Sequence, residues 1–137
     1  MGPENSVGAV SWNQVREAIR ARFPVEIDEA DSLGIVFDMG GGRSQGVAIE
    51  RKLVEDAEWI EISTGVAAEG QLDYGNALAI SGRLTVGGLA LRDGVVVYRH
   101  AVPLQNFDPG GFQWLFDHIV RFGDAMEQEI APETDVF

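Results

Sequence analysis

Trp12, Val15, Ile19 and Phe23 recur three and four positions apart, which places them on one face of a helix. Ser11 is suited to cap its start, Gln14 three residues on completes a capping box, and Pro24 ends it. From Leu33 the period falls to two. Leu33, Ile35 and Phe37 point one way, while Gly34, Val36 and Asp38 point the other. Beyond Gly40 to Gly42, Val47 and Ile49 alternate with Gly46, Ala48 and Glu50. Glu55 to Glu58 is acidic and turn-like. Ile60, Ile62 and Thr64 then alternate with Trp59, Glu61 and Ser63. Three strands with short connections predict an antiparallel meander.

Residues 69–82 predict a short helix through Leu72, Leu78, Ala79 and Ile80, with Gly75 weakening it. Leu89 to Val97 predicts a hairpin that turns at Arg92-Asp93-Gly94, and Pro103 ends its second strand. Asp108 is a good N-cap with Pro109 in the first helical position. Phe112, Leu115, Phe116, Ile119, Met126 and Ile130 form a wide apolar stripe behind them, and Pro132 closes the helix. The expectation is a single α+β domain over residues 11–131, between a flexible arm (1–10) and a flexible tail (132–137). Its sheet has five antiparallel strands, three in the meander and two in the hairpin. An N-terminal helix, a short middle helix and a long C-terminal helix pack mainly on one face.

The 137 residues suit one compact domain. No window approaches the ~18 uninterrupted apolar residues of a membrane span. Residues 1–9 lack the basic and apolar regions of a signal peptide, and cysteine is absent, which fits a reducing compartment. A cytoplasmic protein with no membrane partner is expected. Twenty-two acidic residues against ten basic ones give a net charge of −12, which repels phosphate backbones and argues against a nucleic-acid partner. The nearest basic cluster, Arg16, Arg20 and Arg22, reads as a solvated helix face.

Candidate chemistry is sparse. "DMGGGRSQG", Asp38 to Gly46, lacks the lysine of a phosphate-binding P-loop and is followed by a strand rather than a helix. Its glycines read as a tight strand connection. His100 and His118 have no metal-ligand spacing. Ser44, Ser63 and Ser81 lack a nucleophile elbow. Asp28, Glu29 and Asp31 miss the calcium-loop order, because Ala30 and Ser32 hold the alternate positions. No catalytic residue, metal or cofactor is expected.

What remains is surface. Val36 and Trp59 fall opposite Ile35, Ile60 and Ile62, and Val96 and Tyr98 could share that face. If the helices cover only one side, these four residues form an apolar patch that marks a partner site. Otherwise the short helix or a crossing loop covers them.

The element order and several local words resemble the YbjN-type domain, which shares the fold of type III secretion chaperones. The words are "RSQGVAIE" (Arg43 to Glu50), "EWIEISTGV" (Glu58 to Val66), "VGGLALRDGVVVYRHAVPLQNFDP" (Val86 to Pro109) and "FDHIVRFGDAMEQ" (Phe116 to Gln128). The resemblance spans residues 10 to 131. It departs at the second helix, which Gly75 and the Gly87-Gly88 pair weaken, and any dimer contact there is in question. It implies small, acidic, cytoplasmic bacterial proteins, often dimeric, that hold a segment of another protein. It carries over no catalytic residue. The first expectation is therefore a non-enzymatic chaperone-like or adaptor-like module whose acidic surround favours basic partner segments. A regulatory module of a bacterial signalling pathway with a transient partner is the second. A small-molecule binder or enzyme using His100 or His118 is the third.

Overall fold

The computed structural model of the chain describes residues 11–106 and 108–130. The arm and tail expected at 1–10 and 132–137 lie outside the described residues. Helix α1 (Trp12–Arg22) opens on the expected capping box: Ser11 Oγ accepts from the Gln14 N–H at 3.1 Å, and Gln14 Oε1 accepts from the Ser11 N–H at 2.8 Å. Its apolar face, Trp12, Val15 and Ile19, is buried. The Trp12 indole N–H also donates to the Ala30 carbonyl at 2.8 Å, which ties the start of the helix to the first strand turn.

The strands follow as β1 (Val25–Glu29), β2 (Ser32–Gly40), β3 (Arg43–Val54) and β4 (Ala57–Ala68). Helix α2 (Tyr74–Arg83) intervenes before β5 (Gly88–Arg92) and β6 (Val95–Pro103). A 3-10 turn (Leu104–Asn106) leads into α3 (Pro109–Ile130). All pairings are antiparallel, in the order β1-β2-β3-β4-β6-β5.

The sheet thus has six strands, and the expectation of five is corrected by β1. Val25 and Ile27 do alternate with Glu26 and Asp28, but the strand is short, acidic and largely exposed at the sheet edge. An irregularity between Val25 and Ile27 also shifts the register, so Val25 sits opposite Ile35 while Ile27 sits opposite Gly34. The two apolar residues of β1 therefore serve opposite faces, which erases the one-sided pattern that marks a strand.

The central strands behave as their alternation predicts. Leu33, Ile35, Val47, Ile49, Ile60 and Ile62 are buried on one face. Leu115, Phe116, Ile119 and Val120 of α3 join the same cluster as the buried face of α1. Phe23, Phe37 and Phe116 meet at centroid distances of 5.1–5.6 Å and close the end of this layer. Full burial of one such aliphatic side chain stabilises by about 1.5–3 kcal/mol. Asp108 caps α3, its carboxylate accepting from the Gly111 N–H at 3.0 Å.

Two glycine features decide geometry. Gly40, Gly41 and Gly42 have φ of 86°, 62° and 80°, so the β2–β3 connection needs residues free to adopt positive φ. The glycine-rich stretch is a hairpin turn, and β3 follows it directly. On α3, a Cβ at Gly123 would lie 2.3 Å from Thr64 Cγ2, so the helix rests on β4 at a distance only glycine permits.

Candidate protein-binding surface

Helices α1 and α3 bury the central strands on one face of the sheet, and no described helix covers the other. Cross-strand register defines what the open face shows. Directly paired residues share a face, so Gly34, Ala48 and Ser63 stand in one row, and Val36 stands beside Gly46. Gly65 faces Val97 on β6. The centre of this face is nearly bare of side chains, while Ile27, Val36, Val95 and Val97 rise around it. The result is an open trough of about 580 Å³ with a mainly apolar lining.

The four residues expected to share a patch divide between the two faces. Val36 is 42 % exposed on the open face. Trp59 lies on the same face further along β4, between Lys52 and Pro103. Tyr98 is opposite Thr64 and fully buried, and Val96 is opposite Ala67 and buried, both within the helix-covered core. The Tyr98 hydroxyl donates to the Val86 carbonyl at 2.5 Å, and burial raises its pKa. In their place, Val95 and Val97 border the trough. Four consecutive apolar residues, Val95 to Tyr98, carry no alternation from which to read the phase. A register irregularity between Gly65 and Ala67 shifts the pairing there as well.

Next to the trough is a belt of charge that sequence reading missed. Glu61 lies on the open face yet is only 2 % exposed, because three cations enclose it. Arg99 Nε donates to Glu61 Oε2, Arg92 reaches the carboxylate at 3.2 Å, and Lys52 Nζ lies 3.6 Å away. Glu50 completes the belt, 3.7 Å from Arg92 and 3.8 Å from Lys52. Burial pushes the Glu61 pKa up, but the hydrogen bonds and charges of Arg92 and Arg99 outweigh it and hold the carboxyl below its ordinary value. These residues come from β3, β4, β5 and β6 with no linear spacing to reveal them, so only the strand register brings them together.

The remaining sequence candidates are placed elsewhere. Arg20 and Arg16 both bind Asp28, at 2.7 and 3.0 Å, and hold its pKa near 2, so these two cations of the basic face are already paired. His100 Nδ1 accepts from the Gly87 N–H at 2.9 Å, latching the loop before β5. Burial lowers its pKa, with Arg99 adding to the effect. His118 stacks between Trp114 and Phe122 on α3, at 4.9 and 4.0 Å. Neither imidazole is hydrogen-bonded to a carboxylate among the described contacts. Among the described residues no group of three or more His, Asp or Glu could hold a metal ion, and no helix is long and apolar enough to cross a membrane.

A second apolar surface lies between α2 and β5. Helix α2 buries none of its residues, and its Tyr74 and Leu78 are 58 % and 74 % exposed. With Leu89 and Leu91 of β5 they border a shallow depression of about 190 Å³.

Solved structures share this architecture at low sequence identity. A chain in the structure of the HopA1–SchA chaperone–effector complex superposes with a TM-score of 0.64 at 9 % identity, covering 93 % of this chain and 99 % of that one. A chain in the crystal structure of the ExsC–ExsE complex gives 0.64 at 13 % identity, covering 87 % and 91 %. No family model and no curated protein matches the sequence. The likeness establishes a type III secretion chaperone-like fold.

Proposed function

We propose that the chain is a non-enzymatic protein-binding module, chaperone-like or adaptor-like, which holds a segment of a partner protein on the open face of its sheet. The observation that carries this reading is the apolar trough left open on a sheet whose other face is buried mainly beneath α1 and α3. Open apolar concavities of this kind mark interaction sites on acidic, soluble domains. Val36 borders the trough and Trp59 offers an aromatic anchor further along the same face, while Val96 and Tyr98 support the sheet from beneath. Likeness in fold to chains of two partner-bound complexes supports the same reading. Kinship with the YbjN-type family and action in the cytoplasm belong to this proposal, supported by the quoted sequence words and by the absence of cysteine.

A homodimer is part of the proposal through a different surface. Tyr74, Leu78 and Leu91 leave α2 and β5 with an uncovered apolar face that a second copy would bury.

The test is affinity capture by the tagged full chain, run beside a Val36→Arg, Trp59→Ala variant shown to be folded. A near-stoichiometric partner held by the parent and lost by the variant is the expected result. A partner retained equally by both would move the site off this face, and no partner above an untagged control would overturn the reading.

A further inference from the structure

The open face pairs two features that act on one ligand. The floor of the trough, Gly34, Gly46, Ala48, Ser63 and Gly65, offers no side chain longer than a hydroxymethyl. Such a floor admits a bulky apolar side chain from outside and packs around it. Arg92 and Glu50 belong at once to the trough's rim and to the charge belt, so the two features are contiguous.

The charge of the belt runs against that of the molecule. The chain carries −12, yet here three cations, Lys52, Arg92 and Arg99, ion-pair with two carboxylates, Glu50 and Glu61, and Asp93 acts on Arg92 from beside the belt. Glu61 is covered, whereas the Lys52, Arg92 and Arg99 side chains remain 45 %, 37 % and 37 % exposed. The belt therefore shows solvent mainly the outer edges of its cations. Glu26, the acid at the rim outside the belt, disfavours a ligand carboxylate on its side of the trough.

Resting on the protein-binding reading above, we propose that the trough takes an extended, acidic segment in which a bulky apolar residue seats over the small-residue floor and an Asp or Glu two positions away meets the Lys52–Arg92–Arg99 belt. The spacing follows from the strands themselves. Ser63 on the floor and Glu61 in the belt are two residues apart on β4, about 7 Å along an extended chain, with both side chains on one face. A ligand strand has the same rise and alternation. Most of the surface favours basic segments, and this face selects the reverse.

The experiment selects a random linear phage-displayed peptide library on the immobilised full chain. Enriched sequences are then titrated as labelled synthetic peptides by fluorescence anisotropy. Enrichment of a bulky apolar residue two positions from Asp or Glu is expected. Affinity should fall at least tenfold in Ala48→Trp and in the wall variant Val36→Asp, each checked for parental circular dichroism. It should fall about fivefold in Lys52→Glu, weaken with added salt and rise in Glu50→Gln. Peptides that are basic, or indifferent to both Ala48→Trp and Lys52→Glu, would leave the protein-binding reading standing and overturn this one. A library yielding no binders would overturn both. Self-association abolished by Ala48→Trp would assign the trough to a second copy and overturn the acidic segment.

Discussion

The contact between Gly123 and Thr64 makes Gly123→Ala a test in which two principles predict opposite signs. Alanine in place of glycine within a helix ordinarily stabilises by about 0.5–1 kcal/mol. Here the added methyl would lie 2.3 Å from Thr64 Cγ2, more than 1 Å inside the ~3.5 Å of an ordinary carbon–carbon contact. Relief has two routes, and neither is free. Thr64 can rotate, but its hydroxyl donates to the Gly46 carbonyl at 2.7 Å and accepts from Gln45 Nε2 at 2.5 Å, so rotation breaks both bonds. Alternatively α3 can lift, which loosens Phe116, Ile119 and Val120 from the sheet. Overpacking of this kind costs about 1–3 kcal/mol. After the propensity gain, the net expectation is a loss of about 1–2 kcal/mol, or several degrees in Tm. Urea unfolding followed by circular dichroism and tryptophan fluorescence measures it. Gly82→Ala in α2 is the matched control, because its Cβ would meet nothing within 4 Å, and it should stabilise slightly. Thr64→Ser, which keeps the hydroxyl and removes the methyl, should recover most of the loss in the double variant. Stabilisation by Gly123→Ala equal to that by Gly82→Ala would refute the close seating of α3 on β4.

Tyr98→Phe leaves the Val86 carbonyl without its buried donor and should cost about 1–2 kcal/mol in the same urea assay, whereas an unchanged midpoint would show that the bond contributes nothing. Glu61 has a folded pKa held below its ordinary value, so the stability it contributes is complete above the ordinary glutamate pKa of about 4.3 and is lost as pH falls through the lower folded value. Parent and Glu61→Gln unfolding curves across that acidic range should therefore converge as pH falls, and parallel curves would contradict the linkage. Leu78→Asp on the exposed face of α2 should leave stability nearly unchanged yet shift sedimentation velocity from dimer to monomer. A parent already monomeric at micromolar concentration would remove the dimer proposal.

Helices α1 and α3 and strands β2 to β4 were legible because each buries one continuous stripe. Ile60 and Ile62, or Phe116 and Ile119, show their period in a single stretch of chain. Where one segment serves two faces, the pattern fails, as in β1 with Val25 on one side and Ile27 on the other. The run from Val95 to Tyr98 fails for the opposite reason, since every position is apolar and no phase is marked. The belt around Glu61 is a third case. Its members come from four strands, and a carboxylate among many acids looks unremarkable until the register sets three cations around it. Small residues such as Gly46, Ala48 and Gly65 signal a weak strand in sequence and a concave floor in three dimensions.

The strand order has a consequence for how the chain assembles. From β1 to β4 each strand is joined to its neighbour by a short turn, so these pairings close small loops early. The β4–β6 pairing instead waits for the intervening α2 and β5 to be laid down, and closing that longer loop costs more entropy. Refolding is expected to build the meander first, so Ile49→Val should slow folding while Val97→Ala mainly speeds unfolding. Until β6 arrives, β4 leaves one edge open from Trp59 to Ala68, and most of these residues carry buried side chains in the finished sheet. During that interval the newly made chain can accept a foreign strand, and the speed of β6 docking sets its resistance to mispairing.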